Sequence, residues 1–172
     1  MQSAGMKPKL TRKRMRRRKP GKSTISVHEK PVILVRKSYT RLSDSKKKVV
    51  YFIRGNKGYP YEYGRSRILY IGRTEKAKAR PFDSLKRRAR NLLDIHGMRD
   101  LEIAYIEATP KQKVNITTKL ENACLWIFRS EFGELPKENE KGKHLKLSDE
   151  EHYVSFDRIR AIIRKLSTPS LV

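Results

Sequence analysis

Two tyrosines, an arginine and a glutamate are the side chains of this sequence best suited to chemistry. Tyr51 lies in the β-branched and aromatic run Val49-Val50-Tyr51-Phe52-Ile53, and Tyr70 in the run Ile68-Leu69-Tyr70-Ile71, which Gly72 stops. Paired as strands, the two runs can bring both phenols to one face of a sheet. The plainer alternative is packing, since tyrosine is favoured in strands for that reason alone. Arg88 falls inside the helically spaced apolar stripe Leu85, Arg88, Ala89, Leu92, Leu93, whereas Arg87 and Arg90 point away from it. An inward-facing charge needs a partner. A phosphate suits a guanidinium because the fork matches its oxygens bidentately, while a salt bridge or a snorkelling stem would serve structure only. Glu121 starts the apolar run Leu120 to Phe128, and a carboxylate there can hold a hard divalent cation together with water and phosphate oxygens. Its spacing from Thr118 is also that of a capping box, the structural alternative.

The charge of the chain points to a polyanionic partner. Its 172 residues carry a formal net charge of +24, with 35% charged and 37% hydrophobic residues. So much excess charge lies outside a core, and nucleic acid is the polyanion whose counterion release best rewards it. No apolar segment is long enough for a membrane span, so no membrane partner is expected. The single cysteine, Cys124, excludes an internal disulfide and a Cys-based zinc site, and it fits a reducing intracellular setting.

These side chains need a scaffold, and the sequence outlines one. Residues 1 to 24 read as a disordered basic arm containing Arg16, Arg17 and Arg18, too densely charged to pack until it meets phosphates. A lead-in segment covers residues 25–48, and its short apolar stretch from Pro31 to Val35 reads as a strand or an anchoring segment. The Val49 to Ile53 strand, a turn at Gly55 to Gly58, and the Ile68 to Ile71 strand predict an antiparallel hairpin with a long loop. A helix capped by Asp83 or Ser84 runs to about Ile95 and ends at His96-Gly97. Leu101 to Ala108 alternates as a third strand. Thr118 opens a second helix that ends near Gly133, and Glu134 to Lys146 is loop. Ser148-Asp149-Glu150-Glu151 begins a last helix to about Lys165, whose stripe of Phe156, Ile159, Ile162 and Ile163 faces a core. The expected fold is α+β: a small three-stranded antiparallel sheet packed against helices over residues 49–146, with an extra C-terminal helix over 147–172 packed on it.

In this order the elements resemble the GIY-YIG nuclease family over about Val49 to Asn139. Tyr70-Ile71-Gly72 reproduces the second half of the signature, and Val49-Val50-Tyr51 stands where the family has Gly-Ile-Tyr. The resemblance implies a metal-dependent endonuclease that hydrolyses phosphodiester bonds of DNA, most simply double-stranded, of a restriction or mobile-element kind. It implies Mg²⁺ or Mn²⁺ held by Glu121, Arg88 on the scissile phosphate, Tyr51 as acceptor of the water's proton and Tyr70 as the group that positions water or phosphate. The two tyrosine roles are open to exchange. Leu92 stands where the family has His or Tyr one turn after the arginine, and His96 is the candidate to replace it. Asn139, near Pro136, is the candidate for the family's later asparagine. Arg80 is a rival to Arg88, because the connection before this helix is longer than in most relatives. Arg65, Arg67, Arg73, Arg87 and Arg90 are expected to track the DNA backbone with the basic arm. A double-strand cutter with one active site often works as a homodimer. The competing expectation is a nucleic-acid-binding protein without catalysis, such as a ribosome-associated or packaging factor.

Overall fold

The computed structural model describes residues 24–34, 48–74, 80–109, 114–139, 145 and 147–168. Residues 1–23 of the basic arm, with Arg16, Arg17 and Arg18, lie outside them, and Thr24, expected as the end of the arm, is described as strand. The architecture is α+β, an antiparallel sheet packed against helices, as expected.

The three expected strands form its body. They are β2 (Val49–Tyr61), β3 (Gly64–Thr74) and β4 (Leu101–Thr109). A fourth strand extends them: β1 (Thr24–Leu34) pairs antiparallel with β4 and gives the sheet order β1-β4-β2-β3. Its β-branched residues Thr24, Ile25, Val27, Val32 and Ile33 suit a strand, which the sequence suggests only over the stretch from Pro31 to Val35. Proline cannot donate to the ladder, and the register shifts between His28 and Val32 around it, a tolerable defect in an edge strand. The β2–β3 hairpin is also tighter than expected. The strand continues through Gly55 to Gly58, and the turn sits at Glu62-Tyr63, ahead of Gly64 at φ 146°.

Helices cover both faces of the sheet. On one face α1 (Arg80–Arg90) and a following π turn (Asn91–Ile95) bury Leu85 and Leu92 against Tyr51, Ile53, Leu69, Leu101 and Ile103. On the other, α2 (Ile116–Phe132) and α4 (Phe156–Ser167) cover Val50, Phe52, Ile68, Ile71, Ala104 and Ile106. The odd and even residues of β2 thus serve opposite layers, the period-2 rule of a strand buried on both faces. The α4 helix shares its core with α2 rather than standing apart.

Three helix starts differ from expectation. Asp83 and Ser84 lie inside α1, which begins at Arg80. Asn115 caps α2 by accepting the Thr118 N–H, so Thr118 is already within the helix. The last helix is broken into α3 (Glu150–Tyr153) and α4. Glu150 folds its carboxylate back onto the Ser148 and Asp149 N–H groups. Val154 and Ser155 are then extended, and Ser155 caps α4 through the Arg158 N–H.

Candidate active site at the edge of the sheet

The bulge in β3 positions the first residues of the site. Ile53 pairs with Tyr70 but Arg54 pairs with Ile68, so Leu69 is an extra residue in β3. Leu69 and Tyr70 consequently both lie toward α1, the layer that also holds Tyr51. Directly opposite Tyr51 in the register is Gly72. A side chain at Gly72 would strike both phenols: a Cβ there would stand 2.8 Å from the Tyr70 hydroxyl and 2.9 Å from that of Tyr51. The glycine of Tyr70-Ile71-Gly72 therefore makes the room in which the two tyrosines meet. Their ring centroids are 5.9 Å apart.

The two phenols occupy different environments. Tyr51 is 1% exposed and shares a 2.7 Å hydrogen bond with the Ser84 hydroxyl of α1. Burial pushes its pKa up to about 12, although the Ser84 hydrogen bond and the Arg88 charge oppose the shift. Desolvation thus outweighs the neighbouring guanidinium. Tyr70 is only half-buried, and the Arg88 guanidinium lies over its ring, 3.7 Å from the centroid.

Arg88 does face inward, as its place in the apolar stripe predicts, and it is partnered. Its Nη1 donates to the Ser84 carbonyl at 3.3 Å, and its Nε stands 3.9 Å from Oε2 of Glu138. The other oxygen of that carboxylate is 4.0 Å from Nε2 of His96. His96 reaches this position because the helix widens to a π turn, seen in the His96 N–H bonding the Asn91 carbonyl. The widened turn is followed by Gly97 at φ 59°. Leu92 is fully buried in the α1 layer, so the position one turn after Arg88 contributes packing and no polar group.

Asn139 holds the outer edge of β3. Its Oδ1 accepts the Ile71 N–H and its Nδ2 donates to the Ile71 carbonyl, both at 2.8 Å. One residue earlier, the Glu138 N–H donates to the Leu69 carbonyl at 2.9 Å. Glu138 is the residue that sequence reasoning missed. It sits in a polar stretch with Glu134 and Glu140, and nothing local marks it out.

Glu121 and Arg73 form a second pair just beyond Gly72. Arg73 Nε is 2.9 Å from Glu121 Oε2, with the two side chains 42% and 20% exposed. Arg73 also donates to the Thr118 hydroxyl. With Asn115 as the cap, Glu121 is not the distal partner of a Thr118 capping box, so that structural alternative falls. Glu121 offers one partly exposed carboxylate, the donor set with which Mg²⁺ can be held when water and phosphate complete its shell. Among the described residues no group of three or more His, Cys, Asp or Glu side chains could hold a metal ion.

The remaining arginines divide. Arg87 and Arg90 lie on the outer side of α1, and Arg90 is exposed. Arg65 is exposed and donates to the Gly58 carbonyl in the hairpin. Arg67 is corrected: it is buried, bonds the Gly55 carbonyl at 2.6 Å and pairs with Glu102, which also binds Arg54. That guanidinium is committed to the sheet and has no face for DNA. The side chain of Arg80 lies outside the described residues.

No family model, curated protein or solved structure matches the chain. No helix among the described residues is long and apolar enough to cross a membrane.

Proposed function

We propose that the chain is a metal-dependent DNA endonuclease of the GIY-YIG kind. The observation that carries this reading is the tyrosine pair packed across Gly72, with Arg88 stacked on the more accessible tyrosine. Packing alone explains Tyr51. It does not explain a guanidinium laid over a half-buried phenol beside a second basic group, His96.

Hydrolysis joins a water oxygen to phosphorus, breaks a P–O ester bond, moves one proton off the water and supplies one to the leaving oxygen. In this reading Arg88 binds a nonbridging phosphate oxygen through its fork. Tyr70 holds the attacking water and relays its proton to solvent, giving up its own phenolic proton as it accepts one, and a solvent water protonates the leaving oxygen, while Tyr51, sealed against Ser84, fixes where Tyr70 stands. This takes the exchange of roles that the resemblance leaves open, because Tyr51 is closed to water whereas Tyr70 is half-buried. Glu121 would hold Mg²⁺ or Mn²⁺, which supplies charge stabilisation at the phosphate and leaving oxygen. Arg73 neutralises Glu121 before substrate arrives, and a phosphate would compete with that carboxylate for the guanidinium. Arg65, Arg87 and Arg90, with the basic arm, supply backbone affinity without sequence choice. The substrate is double-stranded DNA inside a cell, and cutting both strands requires a second copy or a second encounter.

The deciding experiment incubates the protein with plasmid and Mg²⁺ and repeats it with Glu121→Ala. Cleavage by wild type, lost in the variant with DNA binding retained, is expected. One observation favours the second reading, a nucleic-acid-binding protein that does not cut: Leu92 brings no polar group one turn after Arg88. Wild-type protein that binds DNA yet leaves it whole with Mg²⁺ and with Mn²⁺ would select that reading.

A further inference from the structure

The carboxylate of Glu138 bridges two basic groups that come from different parts of the α1 layer. Its Oε2 faces Arg88 Nε at 3.9 Å and its Oε1 faces His96 Nε2 at 4.0 Å. The residue is itself tied to the strand that carries Tyr70. The Glu138 N–H bonds the carbonyl of Leu69, and the side chain of the next residue, Asn139, bonds both backbone groups of Ile71. Tyr70 lies between those two anchor points in sequence. The loop at 138–139 and the Leu69-Tyr70-Ile71 segment are therefore one hydrogen-bonded unit, and the carboxylate it projects meets the guanidinium that lies over Tyr70.

We infer that Glu138 is a positioning residue for Arg88. A guanidinium stacked on a ring can slide and rotate in the plane of the ring. Arg88 is limited on one side by the Ser84 carbonyl and on another by Glu138, so the rest of its fork keeps one orientation. The other oxygen of the same carboxylate faces the His96 imidazole. A single loop side chain thus sets the phosphate-binding arginine relative to the tyrosine, in a site otherwise built from the sheet and α1. The side chain is 13% exposed, which limits competition from water for both contacts.

This inference rests on the nuclease reading for its catalytic consequence but not for its geometry, and the test separates the two. The Arg88 Nε–H resonance, assigned with Arg88→Lys, is followed by NMR in the full chain and in Glu138→Gln, with thermal melting to check folding. The resonance is expected to shift and to exchange faster with solvent in Glu138→Gln, and Glu138→Asp, which keeps the charge, to recover part of the change. In plasmid cleavage, kcat of Glu138→Gln is expected to fall on the order of 10- to 100-fold with little change in KM, the cost typical of a displaced positioning group. Arg88→Lys added to Glu138→Gln should then cost much less than it does alone, because the two act as a unit. An Arg88 resonance unmoved in Glu138→Gln, or independent multiplicative losses in the double variant, would overturn the inference. A resonance that responds in a protein that never cuts DNA would retain Glu138 as the residue that orients Arg88, while the nuclease reading falls.

Discussion

Tyr51 and Tyr70 share a layer and nearly touch, yet the fold seals one away and leaves the other half open to solvent. Exchanging the phenols for Phe separates their roles. Tyr70→Phe is expected to remove most cleavage, by on the order of 100-fold or more for loss of a proton-transfer group, with little effect on melting. Tyr51→Phe leaves the buried Ser84 hydroxyl without its partner and is expected to cost about 1–3 kcal/mol of stability by denaturant titration. Tyr51 also sets an alkaline limit. Its pKa is raised from 10.0 to about 12 on folding, so the stability due to its neutral form is complete below about pH 10 and is lost as pH rises toward about 12. Tyr61, raised in the same direction by burial, adds to this loss. Unfolding midpoints measured from pH 9 to pH 12 should fall, and fall less steeply in Tyr51→Phe. At this scale the sequence shows which residues are capable. It does not show solvation, and solvation decides between two tyrosines that each sit in a strand.

The elements explain why some contacts were legible and others were not. Arg88 could be picked from its basic neighbours because a helix repeats every 3.6 residues and the apolar stripe names its buried face. Glu138 could not, because it belongs to a loop whose path is set by hydrogen bonds to a distant strand and has no period to read. The β3 bulge is equally silent: Leu69 looks like any strand residue, and only pairing with β2 reveals it as the extra one. β1 was legible only from Pro31 on, since that proline argues locally against the longer strand that the free edge of β4 takes up. The hold of Asn139 on β3 can be tested directly. Asn139→Ala removes two hydrogen bonds from the backbone of buried Ile71 and is expected to cost about 1–3 kcal/mol. The Ile71 amide should then exchange hydrogen faster, measured residue by residue, while the amides of β4 keep their protection.

For the molecule as a whole, charge and architecture are separable. The sheet and helices account for the core and the site, whereas the densest run of positive charge lies in the first residues of the chain. DNA affinity is therefore expected to fall steeply with salt, and deletion of residues 1–22 to flatten that dependence. Each phosphate that the shortened protein no longer neutralises should reduce the slope of log K against log salt by about 0.9. Fluorescence anisotropy across a salt series measures this directly. An arm that adds affinity without touching the site should leave kcat at saturating DNA unchanged. The α+β class was readable from alternating and helical periods because those patterns are local. The strand order β1-β4-β2-β3 was not, because it depends on which edges remain to be covered once the hairpin has formed.

The turn that carries Glu138 and Asn139 also closes an edge. β3 is an outermost strand, and its Leu69 and Ile71 backbone groups are the kind of open row onto which a strand of another molecule can add. The Glu138 amide and the Asn139 side chain occupy them. The loop that aims the arginine is therefore also a guard against self-association. Damage to it should appear as precipitation during expression as well as lost cutting. Selection for an active protein and selection for one that stays in solution would then act on the same two residues.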